Sequence, residues 1–438
     1  MSFRERFYST ERTNQLLLNE IKSFDPDEPS QAWINESLPY SDIHNEWLLN
    51  NSIYKEACDT LPLYRLASIK ALSFLSFRHT PEHSLPFLHD RFDHSLVVAM
   101  VSERILTRNG FSQSAVNKGI IAGLLHDIAT PALGDATKSL DPTHLHEEDY
   151  WQDVLDQDGH DFLQSNAIDP QEMNGIIKNE GVHGAILDIA DRITYIMKDL
   201  SYIVGKAYVG TSEITGYDEL TYLVQQNNSI GNIYRDVRFD RATQQVYFND
   251  PDRLFRLLEL RGLLHYHLYQ SPNTAGRDRL ISRFIEPFYT ITSPTNDRPL
   301  TPNVLRYMTD NDLMTFLAER YGKSSHLSDF FYTEMSSWNP EYEQFSSRED
   351  ARNRETEMRQ DSEIITYGIV EMKGFNPGTD YLVLSDNNQI IPFADADPKR
   401  AAILHDISEA SKGIYLFYTE NTDDSSLNQL LKQVYQKK

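Results

Sequence analysis

Cysteine is almost absent from the 438-residue chain: Cys58 stands alone, so neither an intramolecular disulfide nor a thiolate metal site can form. It reads as a small buried hydrophobe in a protein of a reducing compartment, and the expected location is cytoplasmic. No apolar run reaches the roughly 18 residues a membrane-spanning helix needs, and charges interrupt the opening segment too often for a signal-peptide core. Basic residues are scarce as well. Against 65 Asp and Glu stand only 41 Lys and Arg, a net charge of −24, which repels a phosphate backbone and disfavours long nucleic acid as a partner. Small anions in a locally basic pocket remain open. The chain has no P-loop, no GxGxxG after a strand, no GxSxG and no CxxC, so nucleotide-binding sheets, hydrolase elbows and zinc ribbons have no support. Internal repeats and low-complexity tracts are also lacking.

What the chain does have is length and apolar content, 40% hydrophobic, ample for a sizeable core and one large domain with an appendage, or two to three domains. Residues 1–60 form a lead-in, broken by Pro26, Pro29 and Pro39, that packs on the helical region after it. From 61 to 205 the pattern is strongly helical. Leu96, Val97, Met100, Val101 and Ile105 recur at three and four residues, as do Val116, Ile120, Ile121, Leu124 and Ile128, with Ser112 as N-cap of the second series. Helical periodicity resumes at Pro251–Tyr269, Arg277–Phe288 and Leu300–Arg320 within an extension over 206–335. The segment 336–361, with SSREDARNRETEMRQDSE, is charged, lacks an apolar stripe and reads as a linker or solvated helix. Beyond it, IITYGIVEMKGF, DYLVLSD and GIYLFYTE predict a small strand-containing unit over 362–438.

Three His-Asp dipeptides occur, and context separates them. His126 and Asp127 close the run GIIAGLLHDIA, where unpaired ionisable groups would cost several kcal/mol to bury, so a metal or hydrogen-bond partners must compensate. The segment Arg91-Phe92-Asp93-His94-Ser95 opens another apolar helix and puts a second imidazole at its start. On ILDIADRITYIMKDLSYIVG, Asp191, Tyr195, Lys198 and Tyr202 share one face, with Asp199 adjacent. Two histidines and two carboxylates form a mixed nitrogen and oxygen set, suited to a hard or borderline divalent ion with open positions, not a closed structural zinc. His79 and His83, separated by Pro81, read as loop residues, and His265 as pocket lining or core.

RFDHSLVVA, GLLHDIATP and LDIADRITYIMKDLSYIVG resemble the HD-domain phosphohydrolases, most closely the deoxynucleoside triphosphate triphosphohydrolase branch that includes the SAM-and-HD-domain protein. LPLYRLASIKALSFL, ELRGLLHYHLYQSPNTAGRDRLISRFI and LRYMTDNDLMTFL extend the likeness over about residues 60–320. The resemblance implies a mostly α fold: an HD-domain helical bundle over 61–205, extra helices over 206–335 completing a substrate pocket, and a small α+β C-terminal unit. It implies that His94, His126, Asp127 and Asp191 ligate one divalent metal (Mn, Mg, Fe, Co, Ni or Zn). It further implies that Arg91, Arg192, Tyr195 and Arg261 contact phosphates, that Asp199 bonds a sugar hydroxyl, and that Tyr269 lies near the sugar or base. Family members commonly assemble, so a homo-oligomer is expected.

The catalytic segment departs from that pattern. Where the triphosphohydrolases carry a motif like HDxGHxPFxH, this chain reads HDIATPALGDATK, with Thr130 and Asp135 in place of two histidines. His146, in THLHEEDYW, is the nearest substitute. Asp135 also invites comparison with HD-domain 5'-nucleotidases, although their Glu would fall at Thr130, and Ala71 stands where the triphosphohydrolases have a sugar-reading Gln. The expected function is hydrolysis of a (deoxy)nucleoside triphosphate to nucleoside and tripolyphosphate, with Asp135 or His146 managing the proton. The alternatives are a 5'-nucleotidase releasing phosphate from a monophosphate and a weakened, nucleotide-binding regulatory protein.

Overall fold

The computed structural model describes residues 52–71, 90–208, 230–321, 340–361 and 363–420. The readings of 1–51 and of His79 and His83 lie outside these residues, as does the side chain of Tyr202. Helix α1 (Ser52–Thr60), at the end of the lead-in, packs into the core: Ile53, Tyr54, Ala57 and Cys58 are all buried. A 3-10 turn over Pro62–Ser68 then leads toward the first helix of the bundle, α2 (Arg91–Arg108), whose N-cap Asp90 accepts from Asp93 N.

Helix α3 (Gln113–Leu125) starts at the expected cap, Ser112, and runs back along α2. Gly123 permits the approach: a Cβ built there would lie 2.5 Å from Ala99 Cα. Short helices α4 (Asp135–Lys138) and α5 (Glu147–Tyr150) come next, then α6 (Gln157–Ser165), α7 (Pro170–Ile177) and the long α8 (Gly181–Tyr208). Helix α8 packs on α2 and α3 with Ile186, Ile189, Ile193 and Ile196 buried. Each such side chain contributes about 1.5–3 kcal/mol through burial.

A hairpin of β1 (Val237–Asp240) and β2 (Gln245–Phe248) interrupts the predicted helical extension. Helix α9 (Pro251–Leu264) ends in a π-helical turn, His265–Tyr269, and Ser271 caps α10 (Pro272–Ile285). Helices α11 (Pro302–Tyr307) and α12 (Asp310–Arg320) divide the predicted Leu300–Arg320 helix at a capping box between Thr309 and Asp312.

Of the two readings of 336–361, a linker or a solvated helix, the described residues show the helix, together with a strand. The segment contains strand β3 (Glu341–Phe345) and helix α13 (Arg348–Met358), which buries only Ala351 and Met358 and so shows no apolar stripe in sequence. Strands β4 (Ile364–Lys373), β5 (Leu382–Leu384) and β6 (Ile390–Pro392) precede helices α14 (Phe393–Ala396) and α15 (Pro398–Ala410) and strand β7 (Lys412–Glu420). One sheet has the order β3-β7-β4 and the other β1-β2-β5-β6, so the C-terminal segment shares a sheet with the hairpin 237–248. Val383, Phe393, Ala401 and Leu404 enter the same core as α2 and α3, while Tyr367, Tyr415 and Phe417 pack with Leu133, Leu280 and Phe284. A boundary at 361 therefore does not divide the packing. The mostly α class holds, and among the described residues no helix is long and apolar enough to cross a membrane.

Candidate metal centre and active site

The antiparallel run of α2 and α3 brings the first turn of one beside the last turn of the other. His94 Nε2 lies 3.2 Å from His126 Nε2, and Asp191 Oδ1, from α8, lies 2.9 Å from His94 Nε2 and 3.7 Å from His126 Nε2. Asp127 Oδ2 is 3.8 Å from each imidazole nitrogen. His94 and Asp127 are 5% and 4% exposed, whereas the Asp191 side chain is 33% exposed on the open side of the set. The ligand atoms of His94, His126 and Asp127 all lie within 4.8 Å of one another.

The donor chemistry fits a cation. His126 Nδ1 is 2.8 Å from Gly123 O, which places a hydrogen on that nitrogen and leaves Nε2 as a lone pair in the neutral ring. That lone pair faces another imidazole and two carboxylates, an arrangement only a proton or a metal ion relieves. Burial opposes the charged ring, yet Asp127 and Asp191 push His126 up to about 9. Burial would likewise raise Asp127 and Asp191, but Arg91 and the histidines hold the first, and the histidines the second, far below the carboxylate range. The set of nitrogen and carboxylate donors with open space in front of it can hold one divalent ion.

That space is a cavity of about 490 Å³. Arg91, His94, His126, Asp127, Asp135, Asp191, Tyr195, Asp199, Arg261 and Tyr269 all line it, and so does Ala71. Arg91 Nη1 donates to Asp127 at 2.9 Å and its Nη2 is 3.6 Å from Asp135. Arg261 donates to Tyr195 Oη and to the carbonyl of Asn376, and Tyr269 donates to Asp199. Lys198, buried and paired with Asp93, is lowered to about 8 by desolvation.

Two expected residues lie elsewhere. Arg192 does not line this cavity; its Nε and Nη2 donate to Asp188 Oδ1 at 3.0 and 2.9 Å, and its guanidinium lies over the Tyr381 ring. An acceptor four residues upstream on the same helix wins it from the site. His146 is exposed at the start of α5, while its neighbours Glu147 and Glu148 line the cavity. Asp135 is present, but not as a proton donor: burial would raise it, whereas Lys138 at 2.6 Å and Arg91 keep it below its ordinary range.

Sequence reasoning missed Lys138, Gln270, Thr274, Arg277 and Asp278, which also line the cavity. The segment that carries the last four was read as part of the likeness without singling them out; the Ser-Pro pair that caps α10 could have placed the last three on one helix. His265 is held neutral, at about 3, by burial and by Arg261, and stacks on Phe375 with ring centroids 4.5 Å apart. Its place in a π-helical turn beside Arg261 and Tyr269 is typical of functional positions.

Comparison with known proteins agrees with this geometry. Residues 91–196 match the HD domain family model, a span that includes all four candidate ligands, so the chain carries an HD domain. No curated protein matches by sequence. The fold is shared with a hypothetical protein from Aquifex aeolicus, 17% identical over 88% of this chain and 95% of that one, with a TM-score of 0.57. A phosphohydrolase from Bacteroides thetaiotaomicron is also similar in fold: 16% identical, covering 81% of this chain and 93% of its own, TM-score 0.56.

Proposed function

We propose that this chain is a metal-dependent phosphohydrolase acting on a nucleotide, foremost a (deoxy)nucleoside triphosphate cleaved to nucleoside and tripolyphosphate. The observation that carries the reading is one cavity holding both the His94, His126, Asp127 and Asp191 cluster and the cations Arg91, Lys138, Arg261 and Arg277. A volume of about 490 Å³ suits a nucleotide-sized ligand. The name of the Bacteroides relative, a phosphohydrolase, points the same way.

A divalent ion held by the four ligands supplies Lewis acidity toward a phosphoryl oxygen and toward water. Arg91, fixed between Asp127 and Asp135, presents its remaining donors to phosphate oxygens at the metal end of the cavity. Arg261, steadied by Tyr195 and the Asn376 carbonyl, presents a second guanidinium to the same cavity. These guanidiniums locally reverse the strongly negative field of the protein and offset charge that grows on the phosphates as the ester bond breaks. The Tyr269–Asp199 pair offers a carboxylate acceptor to a sugar hydroxyl. Asp135, ionised and open to the cavity, orients the attacking water.

That open carboxylate also supports the second reading, release of phosphate from a monophosphate. A chromatographic assay with Mn, Mg or Co and nucleoside mono- and triphosphates in ribo and deoxy forms separates them, with Asp127→Ala as control. Tripolyphosphate and nucleoside are expected. Inorganic phosphate from monophosphates would select the nucleotidase, and saturable binding without turnover would select a regulatory module. We infer a homo-oligomer, to be checked by sedimentation.

A further inference from the structure

The cavity holds two carboxyl groups whose surroundings differ sharply and that are not candidate metal ligands. Asp135 begins α4 and is gripped by Lys138 and Arg91. Asp278 sits on α10, which is pinned against α4: Ser282 Oγ lies 2.8 Å from Ala136 O and 2.7 Å from Ser139 Oγ. Since Asp278 lies one turn before Ser282, its carboxyl is carried to the same cavity wall as Asp135. Its side chain makes no hydrogen bond and no ion pair among the described residues.

We propose that Asp278 donates the proton to the leaving oxygen during ester cleavage, an inference that rests on the phosphohydrolase reading. When water attacks, its oxygen forms the new bond to phosphorus and the ester P–O bond breaks with its electron pair on the leaving oxygen. That oxygen takes the proton from Asp278. The proton lost by the attacking water goes to solvent at the cavity mouth, and Asp278 regains one from solvent before the next cycle.

The charges around it make this division of labour consistent. The other charged groups lining the cavity are Asp135 and Lys138 from α4, Arg91 from α2, Asp127 just after α3, Glu147 and Glu148 from α5, Asp191, Lys198 and Asp199 from α8, Arg261 from α9, and Arg277 on its own helix. Lys138 pairs with Asp135 and Glu147, at 2.6 and 2.8 Å, and Arg91 with Asp127 and Asp135, so neither pairs with Asp278. Strand β4, packed on the other side of α10, presents the Tyr367 carbonyl to Arg283. Burial and the facing Asp135 raise Asp278 to about 8, with Arg277 opposing, so it keeps its proton at neutral pH while Asp135 does not. Two carboxyls driven apart in this way divide the acid role from the anionic one. Such a donor also fills the place left by the missing histidines of HDIATPALGDATK, where Thr130 and Asp135 carry no proton for transfer.

The test uses the full chain with Mn, comparing wild type, Asp278→Asn and Asp278→Glu on two phosphate esters. One ester has a p-nitrophenolate leaving group, which departs without a proton, and the other an alkyl alcohol, which does not. Asp278→Asn is expected to slow the alkyl ester about 100-fold or more. It should leave the nitrophenyl ester within about threefold and abolish the alkaline fall in rate, and Asp278→Glu should restore much of the alkyl activity. Equal loss on both esters, or loss on neither, overturns the proton donor while sparing the phosphohydrolase. A wild type inactive on both overturns the phosphohydrolase reading and the donor with it. Independently of turnover, the infrared difference between wild type and Asp278→Asn should show a protonated carboxyl at pH 7 that titrates near 8, and its absence overturns the proposal.

Discussion

Gly123 passes so close to Ala99 that a Cβ on it would stand 2.5 Å from the Ala99 Cα and 2.6 Å from its nitrogen. This contact sets how near α2 and α3 come, and hence how near His94 comes to His126, three residues past the glycine. Gly123→Val should cost about 1–3 kcal/mol of stability by overpacking. It should also weaken Mn binding, since the two imidazoles separate. Urea unfolding and isothermal titration check the two effects; a variant as stable and as tight-binding as wild type would show that the contact sets nothing.

Divalent metal should stabilise the folded chain. At 100 times the dissociation constant the gain is about 2.7 kcal/mol, visible as a rise in melting temperature with Mn. Asp127→Ala and His126→Ala should remove that rise. If either variant still responds to Mn as wild type does, the cluster is not the binding site.

Arg65 is buried and donates to three carbonyls: Ile128 at 2.9 Å, Thr130 at 2.7 Å and Met308 at 3.0 Å. It fastens the segment after His126-Asp127 to the C-cap of α11. Arg65→Met leaves three buried acceptors unpaired, and a loss of about 3 kcal/mol in unfolding free energy is expected. A loss below about 1 kcal/mol would mean water replaces the guanidinium without cost.

Asp310 accepts from the backbone amides of Lys70 and Leu133, yet burial raises it to about 6. A carboxyl raised in the folded state binds protons there that the unfolded chain, titrating near pH ~3.9, has already released. Its contribution to stability is therefore largest at low pH and declines as pH rises through the window up to about 6. The stability difference between wild type and Asp310→Asn should shrink across that window and stay flat above it. A difference that grows with pH would contradict the assignment.

Arg192 and Arg261 should differ in their effect on turnover. Arg261→Ala removes a cavity cation and should lower kcat/KM about 100-fold. Arg192→Ala, whose guanidinium is held by Asp188 and Tyr381 outside the cavity, should change it by no more than about threefold, less than about 1 kcal/mol. Steady-state kinetics on the best substrate decides, and equal losses would return Arg192 to the phosphate site.

Where the sequence spoke clearly, it did so through incongruity. His126 and Asp127 end an apolar run and Asp191 interrupts another, so their burial demanded a partner, and periodicity and the family resemblance agreed on the helical class. Asp278, Lys138 and Arg277 gave no such signal, because charges on a half-apolar helix look the same whether they face water or a cavity. The hairpin 237–248 went unread because its strands are four residues each, too short for alternation to stand out. Helix α13 could be read only as a linker or a solvated helix because nearly all of it faces solvent, which leaves no apolar stripe to decide between them. Arg192 carried its own warning, an Asp one helical turn earlier, which outweighed the resemblance.

The loop Gly374–Tyr381 reaches back from the C-terminal segment to the pocket: Asn376 O takes a hydrogen bond from Arg261, Gly374 O one from Gln270, and Phe375 stacks on His265. During synthesis the ribosome releases the metal-ligand helices long before it releases this loop. Val383, Phe393, Ala401 and Leu404 join the core built on α2 and α3, so both that core and the pocket wall are completed only once this C-terminal segment has left the ribosome.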